Sequence, residues 1–244
     1  MILFIQLAFV ICLAMTVTRL AGNSKRPNLS ILTAAVLTTL AVGLMVPPVY
    51  NMIDPIFGKT NMTDLIAKAC LMVAVVLFGG QCARAMNSKL ALRLTTQMAG
   101  LAVLAVALLA LFATFLAVPD EVRSPALQHY ASLTSAKLNT GVVLAYIGYV
   151  VLANLKAVVG DARSNPVRTM RVSSAFLAAG FILALVRCLL FLVELKVPEI
   201  FSYAQIVSMV STALVATGCA IAYSMARKTS KRTIYSQSLL STDN

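Results

Sequence analysis

Seven long apolar runs alternate with short polar loops along the 244-residue chain, at Ile2 to Ala21, Leu29 to Val49, Thr63 to Arg84, Ala91 to Val118, Lys137 to Val158, Val172 to Glu194 and Ile200 to Ala226. Each run supplies the roughly 20 residues with which a helix crosses about 30 Å of hydrocarbon. The runs are almost unbroken, whereas barrel strands would alternate apolar and polar residues over about 10 positions. The pattern therefore predicts an all-α, polytopic membrane protein built as a seven-helix bundle. The fourth and seventh runs exceed the required length, which predicts tilt or a protruding end. Residues 1–226 form the expected membrane domain, and 227–244 a basic, Ser/Thr-containing flexible cytoplasmic tail.

Composition agrees with the pattern: 60% of residues are hydrophobic, 11% are charged, and the mean hydropathy is +0.89. The charges add an orientation. On one side of the predicted membrane lie Arg19, Lys25, Arg26, Arg84, Lys89, Arg93, Lys156, Arg163, Arg168, Arg171, Arg227, Lys228, Lys231 and Arg232, opposed only by Asp161 and Asp243. On the other side Lys59, Lys68, Arg123, Lys137 and Lys196 are balanced by Asp54, Asp64, Asp120, Glu121, Glu194 and Glu199. Basic loops stay in the cytoplasm, so the N-terminus is expected outside and the C-terminus inside a cell membrane. The basic groups form short clusters beside the membrane rather than a stripe on a soluble face. They suit anionic lipid headgroups and give no footprint for nucleic acid. The first run lacks a basic region before it and is followed by Arg19, Lys25 and Arg26, as expected of a retained helix rather than a signal peptide.

The loops leave little room for a further domain. Pro119 to Ala136, the longest, holds the single histidine, His129, and is expected to form a short interfacial helix or a cap. Pro47 and Pro48 are expected to close the second helix, and Pro166 to stand near the start of the sixth. The sequon Asn61-Met62-Thr63 falls at the membrane edge, where a chance match is the simpler explanation.

Catalytic chemistry is poorly represented. One histidine cannot supply paired haem ligands, and no HExxH, GxSxG, phosphate loop or buried acidic pair is present. The seventh run has no lysine for a retinal Schiff base. Cys12, Cys70, Cys82, Cys188 and Cys219 all fall inside runs and read as small packing residues, with neither a disulfide framework nor a metal set. No enzymatic activity, metal or cofactor is expected. The absence of an evident three-helix repeat weakens a carrier built from repeats.

Arg187 is the one charge that orientation leaves unexplained. A guanidinium at that depth needs an anion, water or carbonyls. Glu194 is seven residues on, nearly two turns, and shares its face. Asp64 and Lys68 share a face at i, i+4, so Asp64 is a second candidate partner for Arg187, with Tyr203 and Gln205 completing an outer polar cavity. The competing expectation is a packing role, with Arg187 stapling two helices and Asp64 and Lys68 reaching for the interface. Towards the cytoplasm, Gln81, Gln97, Asn154 and Lys156 are expected to make hydrogen bonds between helices, assisted by Gly79, Gly80, Gly141, Gly148 and Gly180.

Asp54-Pro55 and Gly58-Lys59-Thr60-Asn61, leading into Asp64-Leu65 of the third run, resemble the membrane module of a group of actinobacterial integral membrane proteins of uncharacterised function. The resemblance implies a seven-helix module that often precedes a soluble cytoplasmic domain; here a short tail follows Ala226. It supplies no catalytic residues. Two functions are then expected: a receptor-like or regulatory module that senses a ligand or engages a protein partner, or a small transporter or channel subunit with a polar path near Arg187.

Overall fold

The computed structural model describes residues 29–58, 61–119, 122, 125–130 and 132–241, preceded by scattered positions between 6 and 17. The first predicted run, Ile2 to Ala21, lies largely outside them, as do Arg19, Lys25, Arg26, Lys59, Asp120, Glu121, Arg123 and Asp243. Among the described residues the fold is all-α, without strands. Five helices are long and apolar enough to cross a membrane, or six if one bent pair is a single span.

That bent pair comprises α1 (Leu29–Leu44) and α2 (Pro47–Ile53), which continues as a 3-10 turn over Asp54–Phe57. The chain turns through 88° between them. Proline holds the preceding residue out of the helical region, and Val46 is extended, with φ −71° and ψ 121°. Pro47 and Pro48 then occupy the first turn of α2, where their missing N–H groups are not needed. The prolines thus begin the next helix instead of closing the last turn of the previous one, which ends at Leu44.

Next comes α3 (Met62–Ala85). The predicted fourth run is divided into α4 (Lys89–Thr95) and α5 (Met98–Leu116) by a break at Thr96 and Gln97. The long loop between α5 and the next helix contributes a 3-10 segment, Pro125–Tyr130. Leu127 and Tyr130 of that segment pack with Val118 and Ala136, and the Val122 N–H donates to the Tyr130 hydroxyl at 2.7 Å. Three further helices complete the chain: α6 (Thr134–Ser164), α7 (Arg168–Glu194) and α8 (Phe201–Ser241). Helix α8 runs past residue 226, the predicted limit of the membrane domain.

Two compact units are distinguishable, residues 1–153 and 154–244, with the boundary inside α6. In the first unit α3, α5 and α6 enclose Met72, Val76, Leu111, Val143, Tyr146 and Val150. On α6 the buried residues Asn139, Val143, Tyr146 and Val150 recur at three- and four-residue intervals, the spacing of one helical face.

The second unit is an antiparallel hairpin of α7 and α8 with a reciprocal seam. Ser173 on α7 donates to the Gly218 carbonyl on α8 at 2.7 Å, and Ser211 on α8 donates to the Gly180 carbonyl on α7 at 2.8 Å. Serine and glycine are seven residues apart on both helices, so two turns down one strip match two turns up the other. Missing side chains at Gly180 and Gly218 allow the close approach. A Cβ at Gly180 would stand 2.6 Å from Val215 Cγ2 and 3.0 Å from the Ser211 carbonyl oxygen.

Candidate functional site

The first unit holds a buried polar network near the predicted outer ends of α3, α5 and α6. Lys68 and Asp64 lie one turn apart on α3, and Nζ meets Asp64 Oδ2 at 2.7 Å. The same ammonium donates to Asn139 Oδ1 on α6 at 2.7 Å. The Asn139 amide donates in turn to the Leu111 carbonyl and to Thr114 Oγ1 on α5, both at 3.1 Å. The Thr114 hydroxyl itself donates to the Ala110 carbonyl at 2.8 Å or the Leu111 carbonyl at 3.0 Å. Asp64, Lys68 and Asn139 are all at most 5% exposed, so the ion pair is held inside the unit rather than at its rim. Lys68 thereby ties α3 to α6, and Asn139 ties α6 to α5.

Above this network the loop entering α3 is fixed by a second set of bonds. Asp54, fully buried, accepts from the backbone N–H of Asn61 and of Thr63 at 3.0 and 3.1 Å, satisfying donors at the start of α3. Asn61 sits at φ +67°, a left-handed conformation that asparagine tolerates. Its Oδ1 accepts from the Tyr50 hydroxyl at 2.7 Å, and its Nδ2 donates to the Val122 carbonyl at 3.0 Å. That amide is buried and engaged, which removes the sequon from glycan chemistry in the folded protein.

The two charge centres anticipated around Arg187 take separate partners. Arg187 Nη2 meets Glu194 Oε2 at 3.4 Å, and the guanidinium carbon lies 6.0 Å from the centre of the Phe191 ring. Asp64 pairs with Lys68 on its own helix. The α7–α8 register explains how Arg187 is accommodated. Stepping seven residues beyond Gly180 gives Arg187, and seven before Ser211 gives Ala204, which is fully buried. A small residue thus stands opposite the large one, and Arg187 is itself only 8% exposed. Its Nη1 is buried and finds no hydrogen-bond partner among the described residues. Tyr203, one position from Ala204, is 68% exposed, and Gln205 is half-buried.

The inner group is likewise divided. Asn154 is fully buried and Gln81 half-buried, but Gln97 and Lys156 are exposed and do not serve as packing amides or cations inside a helix bundle. Gln97 instead marks the α4–α5 break. The break is braced from two neighbours: the Tyr149 hydroxyl donates to the Leu94 carbonyl at 2.6 Å, and the Thr96 methyl fits against Gly80, where a Cβ would come within 2.3 Å. All five cysteines are free thiols.

Asn139 and Thr114, which complete the Lys68 network, were not among the residues singled out by sequence. Asn139 carried a weak signal, a polar residue in line with Val143, Tyr146 and Val150 on the buried face of α6. Asp54 carried another, an acid a few residues ahead of a helix start that makes no side-chain cap of its own.

The Arg187 side chain can be tested by substitution. Arg187→Leu leaves Glu194 near the end of α7, where its side chain is 17% exposed and can turn towards water. The expected loss in the thermal unfolding midpoint therefore corresponds to about 1 kcal/mol, well below the 3–5 kcal/mol of a buried charge left with no escape.

These features define an all-helical protein with five or six helices fit to cross a bilayer and a buried charge network joining three of them. No family model matches the chain, and no curated protein or solved structure does either.

Proposed function

We propose that the chain is a non-catalytic, multi-pass module of the cell membrane that senses an outer ligand or engages a protein partner. In this reading it has seven spans, an external N-terminus and a cytoplasmic C-terminus, and its basic inner loops meet anionic headgroups. The resemblance to actinobacterial membrane modules belongs to the same reading. One observation carries it: Lys68 spends its charge on Asp64 and Asn139 inside the protein. The next residues inward on the three helices, Met72, Val143 and Leu111, are apolar and mutually packed. A polar path at this place would have to pass that layer. The network instead joins the outer loop that Asp54 and Asn61 organise to the packing of three helices, an arrangement suited to relaying an outer event into helix position.

Affinity purification of the full chain from its native membrane, after crosslinking, tests the reading. A stoichiometric protein partner held by the inner loops is the expected result. Ion or solute flux through purified protein in liposomes, with no partner added, overturns it. The alternative of a small transporter or channel subunit draws support from the buried, unpartnered Nη1 of Arg187, which offers an anion a donor. Loss of such flux in Arg187→Leu with the fold intact would favour it.

A further inference from the structure

The geometry points to a binding site for one anionic phospholipid at the break between α4 and α5, with its phosphate on Arg93 and an acyl chain along Met98 and Leu101. A recess of about 650 Å³ opens there, lined by Arg93, Thr96, Gln97, Met98, Ala99 and Leu101. Its lining combines a cation and an amide, Arg93 and Gln97, with the apolar side chains of Met98, Ala99 and Leu101. Met98 is 85% exposed and Leu101 49%, so apolar side chains face outward where an acyl chain would run.

Charge fixes the sign of the headgroup. Arg93 follows Lys89 by four residues on α4, which puts two cations on one face. Helix α5 begins without an acidic residue in its first turn and without a side-chain cap, so nothing in that turn competes with a phosphate for Arg93. The local backbone is also set in advance. Tyr149 holds the Leu94 carbonyl, Gly80 receives the Thr96 methyl, and Gly100 lies against the Thr95 carbonyl at a distance that would put a Cβ within 2.4 Å of it. A lipid entering this recess meets a shape already formed and does not have to create it. Lys89 and Arg93 lie on the basic side of the chain, so the assignment of the site to the cytoplasmic leaflet rests on the proposed orientation.

Native mass spectrometry of the full chain released from detergent tests the site. After exchange into equal amounts of phosphatidylglycerol and phosphatidylcholine, the wild type is expected to retain one phosphatidylglycerol in preference to phosphatidylcholine. Arg93→Gln is expected to reduce that retention at least fivefold, Arg93→Lys to keep part of it, and Arg171→Gln, in the first turn of α7, to leave it unchanged. Ala99→Phe fills the recess without altering charge and is expected to reduce retention as well, so one of the two variants remains informative if the other misfolds. Equal retention of both lipids, or equal loss in Arg93→Gln and Arg171→Gln, overturns the site. Cysteine labelling at Gln97→Cys from either face of sealed vesicles tests orientation separately: outside labelling with intact lipid selectivity would sink the topology and spare the site.

Discussion

Lys68→Met is expected to be the most damaging single substitution in the first unit. It removes the cation that neutralises Asp64 and the donor that holds Asn139 Oδ1, at positions where neither residue is more than 1% exposed. Asp64 Oδ1 has no hydrogen-bond partner among the described residues, so nothing stands ready to take the place of Lys68. An uncompensated charge in a buried ion pair costs about 3–5 kcal/mol, and several kcal/mol decide whether a domain is folded at all. The measurement is the thermal unfolding midpoint of the purified full chain, with yield of folded protein as a second reading. Adding Asp64→Asn to Lys68→Met removes the orphaned charge and is expected to recover more than half of the loss, because deleting both partners of a buried pair is far cheaper than deleting one. If Lys68→Met unfolds within a degree of the wild type, the network is not a brace. If the double variant is no better than the single, the damage comes from packing and not from charge.

How much of this could be seen in the chain depended on whether the information was local. The Asp64–Lys68 pair is legible because i, i+4 residues on a helix are neighbours wherever the helix goes. Arg187 and Glu194 are legible for the same reason at i, i+7, and their long side chains span the two turns. The partners from other helices are not. Asn139 is 71 residues from Lys68, and helical periodicity says only that it faces inward, not whom it meets. For Asp64 and Arg187 the pairs that the structure shows are the local ones, with Lys68 and with Glu194. The break at Thr96 was invisible too, since it lies in an apolar run without proline and is fixed by Gly80 and Tyr149 from outside the run. Pro47 and Pro48 announced a boundary but not its side: proline is excluded from a helix interior and favoured in a first turn, so the same two residues fit an end or a beginning.

In the second unit the largest effect is expected from Gly180→Val. The seam leaves a Cβ at this position 2.6 Å from Val215 Cγ2 and 3.0 Å from the Ser211 carbonyl oxygen. The side-chain contact can relax by a rotamer change, but the carbonyl belongs to the backbone of α8 and yields only if the helices separate. Separation lengthens the Ser211 bond to the Gly180 carbonyl and, through the shared register, the Ser173 bond to the Gly218 carbonyl. Overpacking costs about 1–3 kcal/mol, and each interhelical bond inside a membrane adds about 0.6 kcal/mol, so a total near 3 kcal/mol is expected. Gly180→Ala should fall between, and Ser211→Ala, which deletes a bond while preserving the fit, should cost only that bond. Val215→Ala placed with Gly180→Val offers room for the new methyl groups but leaves the carbonyl contact in place, so it should restore part of the midpoint and no more. Full restoration would mean that the helices are held apart by Val215 alone and that the backbone approach at Gly180 carries no weight.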